Sequence, residues 1–180
     1  FQKDELEHIH SAWKMREGAR PYADFFQHHH PLLWYQSLPV VKFFGATLST
    51  LFALRFIQFL FLLGILWGAY KTALLATGSR ETGNLALLLL MTFKIFIETA
   101  VEVRPDVGQA IFCTFALYFF LKYQIEGREK YLVFSGMAAA IGFFYLQKAL
   151  FFLFPLGAVF LYLIAAGRLR WRSAWVFSAA

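Results

Sequence analysis

Charge is scarce in this chain and cysteine is nearly absent. Only 16% of the 180 residues are Asp, Glu, Lys or Arg, and Cys113 is the one cysteine. A single thiol excludes an intrachain disulfide and a cysteine-based zinc site. The 17 Lys and Arg leave a net charge of +6. They form no run and instead punctuate apolar stretches, which argues against a nucleic-acid partner and for the loop charges of a membrane protein. Strict apolar–polar alternation is missing too, which excludes a barrel of half-buried strands. Histidine stops altogether after residue 30.

Apolar residues fill the space. They make up 59% of the chain, 23 of them Phe, against roughly 45–50% in an ordinary soluble domain. A helix needs about 20 mostly apolar residues to cross a bilayer. Five segments qualify, near 46–70, 84–103, 106–123, 131–147 and 149–166, and a sixth begins at Ser173. The expected fold is an all-α, polytopic transmembrane bundle over 46–180. Residues 1–45 precede it as an extracytoplasmic loop with short interfacial helices. The chain starts without Met and stops inside an apolar stretch, so it reads as a piece of a longer protein.

Parity orders the connectors. Each span changes sides, so the N-terminal segment, "RPD" (104–106) and Lys148 share one face. The other connectors carry Lys71, Arg80, Lys122, Arg128, Lys130, Arg168, Arg170 and Arg172. The positive-inside rule makes those cytoplasmic. The expected location is a multi-pass inner (plasma) membrane, with the polar cluster outside.

The first 30 residues hold all five histidines and Asp4, Glu5, Glu7, Glu17 and Asp24. "DELEHIHSAWKMREG" reads as a helix with Leu6, Ile9 and Trp13 as its apolar stripe, lying flat in the interface. Asp4 and Glu7 have capping-box spacing, and Asp4 also shares a face with His8. In "HHHPLLWYQSLP" an extended backbone would aim His28 and His30 together. That is either a metal-binding pair or an interfacial loop whose histidines bond to the backbone.

Lys94, Glu98 and Glu102 recur every fourth residue, as one stripe on the second span. Such charges are costly in lipid and should face a partner helix or a polar cavity. Arg55 needs an acid that the sequence does not identify. Two further classes stand beside an enzyme: a transporter with Lys94, Glu98, Glu102 and Arg55 as a charged track, and a metal-binding membrane protein using His8, His10, His28 and His30.

Asp4-Glu5, His8, "AW", Gly18 and "PYADFFQHHHPLLWY" together resemble the first extracytoplasmic loop of GT-C class glycosyltransferases that use polyprenyl-phosphate sugars. Among these the chain is most similar to bacterial relatives of protein O-mannosyltransferase and the lipid A aminoarabinose transferase. "VEVRPDV" resembles their second short loop and "LQKALFFLFPL" their later lysine segment. The resemblance implies inverting transfer of a sugar from a polyprenyl phosphate to an acceptor hydroxyl. It puts Asp4 at the catalytic acid position with Glu5 beside it. Arg104, Asp106, Lys148 and Glu102 would meet the donor phosphate and sugar. His8, Asp24, His28 and His29 would line the acceptor side or shape the loop. The implied partners are membrane lipid, the lipid-linked sugar and a glycan, lipid or protein acceptor. A divalent metal is left open.

Overall fold

The computed structural model describes residues 3–169 together with Trp171 and Phe177. The expected sixth span from Ser173 lies outside the described residues apart from Phe177, as do Arg170 and Arg172. Among the described residues the chain is all helix: α1 (Lys3–Arg16), α2 (Leu32–Phe44), α3 (Leu48–Thr77), α4 (Arg80–Thr92), α5 (Lys94–Thr99), α6 (Pro105–Glu126), α7 (Glu129–Tyr145) and α8 (Leu150–Ala165). A single 3₁₀ turn, Gln147–Ala149, leads into α8. Two helical stretches, Leu48–Thr77 and Gln147–Ala165, are long and apolar enough to cross a membrane.

Local chemistry sets several of the ends. Gly78 closes α3 at φ 72, a left-handed position that a side chain would strain. Ser79 then caps α4 by accepting from the Thr82 N–H. Pro105 sits in the first turn of α6, where its missing N–H costs nothing.

One expectation is corrected. Residues 84–103 are not one helix, because Phe93 takes an extended conformation between α4 and α5. The Thr92 hydroxyl donates to the Leu89 carbonyl at 2.7 Å. The Phe93 amide, which would bond there in an unbroken helix, bonds Leu90 instead. The Lys94–Glu98–Glu102 stripe is therefore split: α5 ends at Thr99 and Glu102 lies in the loop beyond it.

α1 packs on the bundle through its polar face. Its buried residues are Glu5, His8, Ser11 and Ala12, while Leu6 and Trp13 are exposed. Its polar partners are Trp34 on α2 and Arg55 on α3. Residues 32–39 open α2, with Pro31 just ahead of its first turn. The Pro31 carbonyl accepts from the amides of Trp34 and Tyr35.

Ala12, Leu33, Trp34, Val41, Leu51, Leu54, Val103 and Tyr145 form one buried cluster, so α1, α2, α3, α7 and the 100–104 loop share a core. A second core joins α6, α7 and α8 through Phe120, Leu132, Leu156, Phe160 and Ile164. The first core is the floor on which the polar cluster stands.

Candidate functional site

Arg104 is the hub of a charged cluster. It is extended just ahead of α6. Its Nη1 lies 3.2 Å from Asp4 Oδ2 and 3.6 Å from Glu102 Oε2, and its Nε lies 3.5 Å from Asp106 Oδ2. Lys148, in the 3₁₀ turn before α8, reaches Asp106 Oδ1 at 3.5 Å. Residues 4, 102, 104, 106 and 148 come together, although up to 144 positions separate them. Asp106 is in the first turn of α6, where the helix dipole favours a carboxylate.

Exposure separates the members. The Asp4 and Lys148 side chains are 54% and 61% exposed, so both are open to a ligand. Glu102 is buried, and among the described residues its Oε2 makes no hydrogen bond. Glu5, next to Asp4 in the chain, is completely buried. It receives a forked pair from Arg55 at 2.9 and 2.6 Å and the Val103 N–H at 3.0 Å. This identifies the acid that Arg55 required.

The histidines flank the cluster. The Trp34 indole N–H donates to His8 Nδ1 at 3.2 Å, so the neutral imidazole carries its proton on Nε2. Burial pushes the His8 pKa down to about 4, with the His29 charge adding to the effect. His29 packs against His8 and His28 with ring centroids 5.2 and 3.9 Å apart. Its pKa is also lowered, first by burial and then by His28. His30 turns away and donates from Nδ1 to the Phe143 carbonyl at 2.6 Å. His28, His29 and His30 line a cleft of about 320 Å³ with Tyr22, Pro31, Phe143 and Phe144.

Loop geometry supports this cleft. Tyr22 has φ 65, a strained conformation for a bulky residue. Its hydroxyl donates to the His29 carbonyl. Gln147, beside Lys148, donates to the His28 carbonyl at 3.3 Å. Gln27 donates to Glu7 and Ser11, tying the loop back to α1.

Asp24 stands apart from the Arg104 cluster. It accepts from the Arg20 amide at 2.7 Å and from its guanidinium at 3.4 Å, which together hold its carboxyl below the usual range. It shapes its own turn. Lys94 and Glu98 pair with each other at 3.5 Å, with side chains 86% and 59% exposed. They face neither a partner helix nor a polar cavity of the described residues, contrary to expectation.

Among the described residues, no three His, Cys, Asp or Glu side chains converge as a metal site. The extended His28/His30 pair does not form, because His30 is committed to Phe143. Asp4 is already paired with Arg104, and Asp106 with both Arg104 and Lys148. The described residues form no ready-made metal site.

Trp34, which orients His8, was not singled out from the sequence. Its signal was a lone tryptophan at the start of an apolar stretch just after a proline. Tyr145 was missed as well, and its hydroxyl reaches Gln36 across the α2–α7 boundary.

The profile of the family described as dolichyl-phosphate-mannose-protein mannosyltransferase matches residues 29–180. The match starts after α1 and includes Arg104, Asp106 and Lys148. Comparison with curated proteins and with solved structures returns no match. The matched stretch spans most of the chain, and its apolar helices suit a membrane enzyme. The protein belongs to the dolichyl-phosphate-mannose-protein mannosyltransferase family of GT-C type membrane glycosyltransferases.

Proposed function

We propose that the Arg104 cluster is the centre of an inverting transferase that moves a sugar from a polyprenyl phosphate to an acceptor hydroxyl at the extracytoplasmic face. One observation carries the reading: an exposed acid, Asp4, lies 3.2 Å from Arg104, which shares Asp106 with a second exposed cation, Lys148. A base and an anion site thus stand side by side. The family's description names a dolichyl-phosphate mannose donor and a protein acceptor. Both fit this chemistry, while the sugar and the acceptor of this chain are set by contacts beyond the cluster.

The step balances simply. The acceptor oxygen attacks the anomeric carbon from the face opposite the phosphate. The bond from that carbon to the phosphate oxygen breaks, and the electron pair leaves with the lipid phosphate. Asp4 takes the acceptor proton. Arg104 and Lys148 stabilise the charge growing on the phosphate. Lys148 exchanges Asp106 for the phosphate as the donor enters. Asp106 and the buried Glu102 keep Arg104 aimed, and Asp106 also accepts from sugar hydroxyls. His8, His28 and His29 border the acceptor side, where the aromatic cleft opens, and Asp24 shapes the loop.

The topology is part of the proposal. The helices from α3 to α8 form a multi-pass bundle in the inner membrane. The connectors rich in Lys and Arg at the opposite ends of the helices support an extracytoplasmic site.

The test uses the full-length protein in liposomes with labelled polyprenyl-phosphate mannose and other polyprenyl-phosphate sugars. Asp4→Asn should insert normally and lose transfer by about 10²–10⁴-fold, the usual weight of general-base catalysis. Turnover at the wild-type rate by Asp4→Asn would remove Asp4 from the mechanism.

A further inference from the structure

We propose that Glu5 and Arg55 are a positioning pair that sets Asp4 against Arg104, and that Glu5 handles no proton. The proposal rests on the transferase reading above. Three separate elements meet on the Glu5 carboxylate. It is carried by α1, Arg55 of α3 grips it in a fork at 2.9 and 2.6 Å, and the Val103 amide of the 100–104 loop bonds it at 3.0 Å.

The chain neighbours of these bonds are the groups assigned to chemistry. Asp4 precedes Glu5 on α1, and Arg104 follows Val103. One carboxylate therefore fixes both backbones whose side chains meet in the 3.2 Å Asp4–Arg104 contact. Forked, charged hydrogen bonds combine strength with a defined direction.

Burial separates the two acids. A general base must reach the acceptor hydroxyl. Glu5 is 0% exposed, and its oxygens are occupied by Arg55 and the Val103 amide. Asp4 faces open space on the neighbouring helix position. Arg55 is 34% exposed and closes over the buried Glu5. A misplacement of about 1 Å in such a site costs about 100-fold in rate. The pair therefore acts on catalysis through geometry.

The experiment uses the full-length protein and two independent readouts. The first is amide hydrogen exchange, followed by mass spectrometry. Glu5→Gln should speed exchange in residues 3–16 and 100–104 at least tenfold and leave α7 and α8 unchanged. The second is kinetic. Glu5→Gln should lower kcat about 100-fold while the pH–rate limb stays in place, and Glu5→Gln/Arg55→Gln should cost no more than the worse single variant. If Glu5→Gln does not fold, Arg55→Lys, which keeps the charge and loses the fork, serves for both measurements. Unchanged exchange, a displaced pH limb or additive losses would each overturn the proposal. If the wild-type protein transfers no sugar from any polyprenyl phosphate, the transferase reading fails, and the exchange result still decides the pair.

Discussion

Gly108→Ala probes the contact that holds Lys148 in place. Gly108 lies in the first turns of α6, directly against Tyr145 at the end of α7. A Cβ built there overlaps the Tyr145 ring, 2.7 Å from Cγ and closer still to Cδ1 and Cε1. Carbon atoms prefer about 3.5–4.0 Å, so the ring must retreat by about 1 Å. It has little room. Tyr145 is 4% exposed, stacks on Phe112 at 5.7 Å, meets Phe61 at 6.3 Å and is tethered to Gln36. Overpacking costs about 1–3 kcal/mol, and loss of the Gln36 bond adds about 1 kcal/mol. Alanine returns about 1 kcal/mol through helix propensity. The net expectation is a loss of about 1–3 kcal/mol. Only Leu146 and Gln147 separate Tyr145 from Lys148, so the shift should also raise the KM for the lipid donor. Thermal unfolding of the purified protein in detergent checks the first effect and steady-state transfer the second. Gly108→Ala/Tyr145→Leu, which removes the obstructing ring, should recover part of the loss. A Gly108→Ala protein with wild-type Tm and KM would refute this account of the α6–α7 contact.

The other predictions concern the site's charges and the buried histidine. Lys148→Met should raise the donor KM with little change in Tm, because its bond to Asp106 is exposed; an unchanged KM would remove it from the phosphate site. His8 has a folded pKa of about 4 against 6.5 unfolded, so the unfolded chain binds the extra proton between these values. Stability should be fully present above pH 6.5 and fall as pH drops toward 4, by on the order of 3 kcal/mol. His8→Gln should flatten that part of a pH–Tm curve; an equal slope in both proteins would refute it. Trp34→Phe loses the indole donor to His8 and leaves a cavity in the buried core, and should cost about 2–4 kcal/mol in thermal unfolding.

Much of the site could be read in the sequence because membrane topology is coarse. A span flips the chain from one side to the other, so counting spans puts Asp4, Arg104 and Lys148 at one end without any knowledge of packing. The structure brings these residues into one cluster, with residues 84–103 broken at Phe93 into α4 and α5. The histidine run was legible as chemistry but not as geometry. In the sequence His30 is open to two readings, and its bond to a carbonyl 113 positions away fits the loop histidine that bonds to backbone, with no ligand pair. The resemblance gives Asp24 an acceptor-side or a loop-shaping role, and it closes a local turn with Arg20.

The sequence by itself determined the helical class, the apolar character of the bundle, the family resemblance and the end of the bundle where charge gathers. These depend on composition and on the repeat of long apolar segments. Tertiary structure alone decided which of two adjacent acids faces outward. Successive helical residues point about 100° apart, so Asp4 and Glu5 cannot share an environment, and nothing local says which is buried. Arg55, fifty residues on, decides it by offering Glu5 a forked partner on α3. The same pairing, with Trp34 and His8, fixes which face of α1 turns inward, because buried polar groups left without partners are costly.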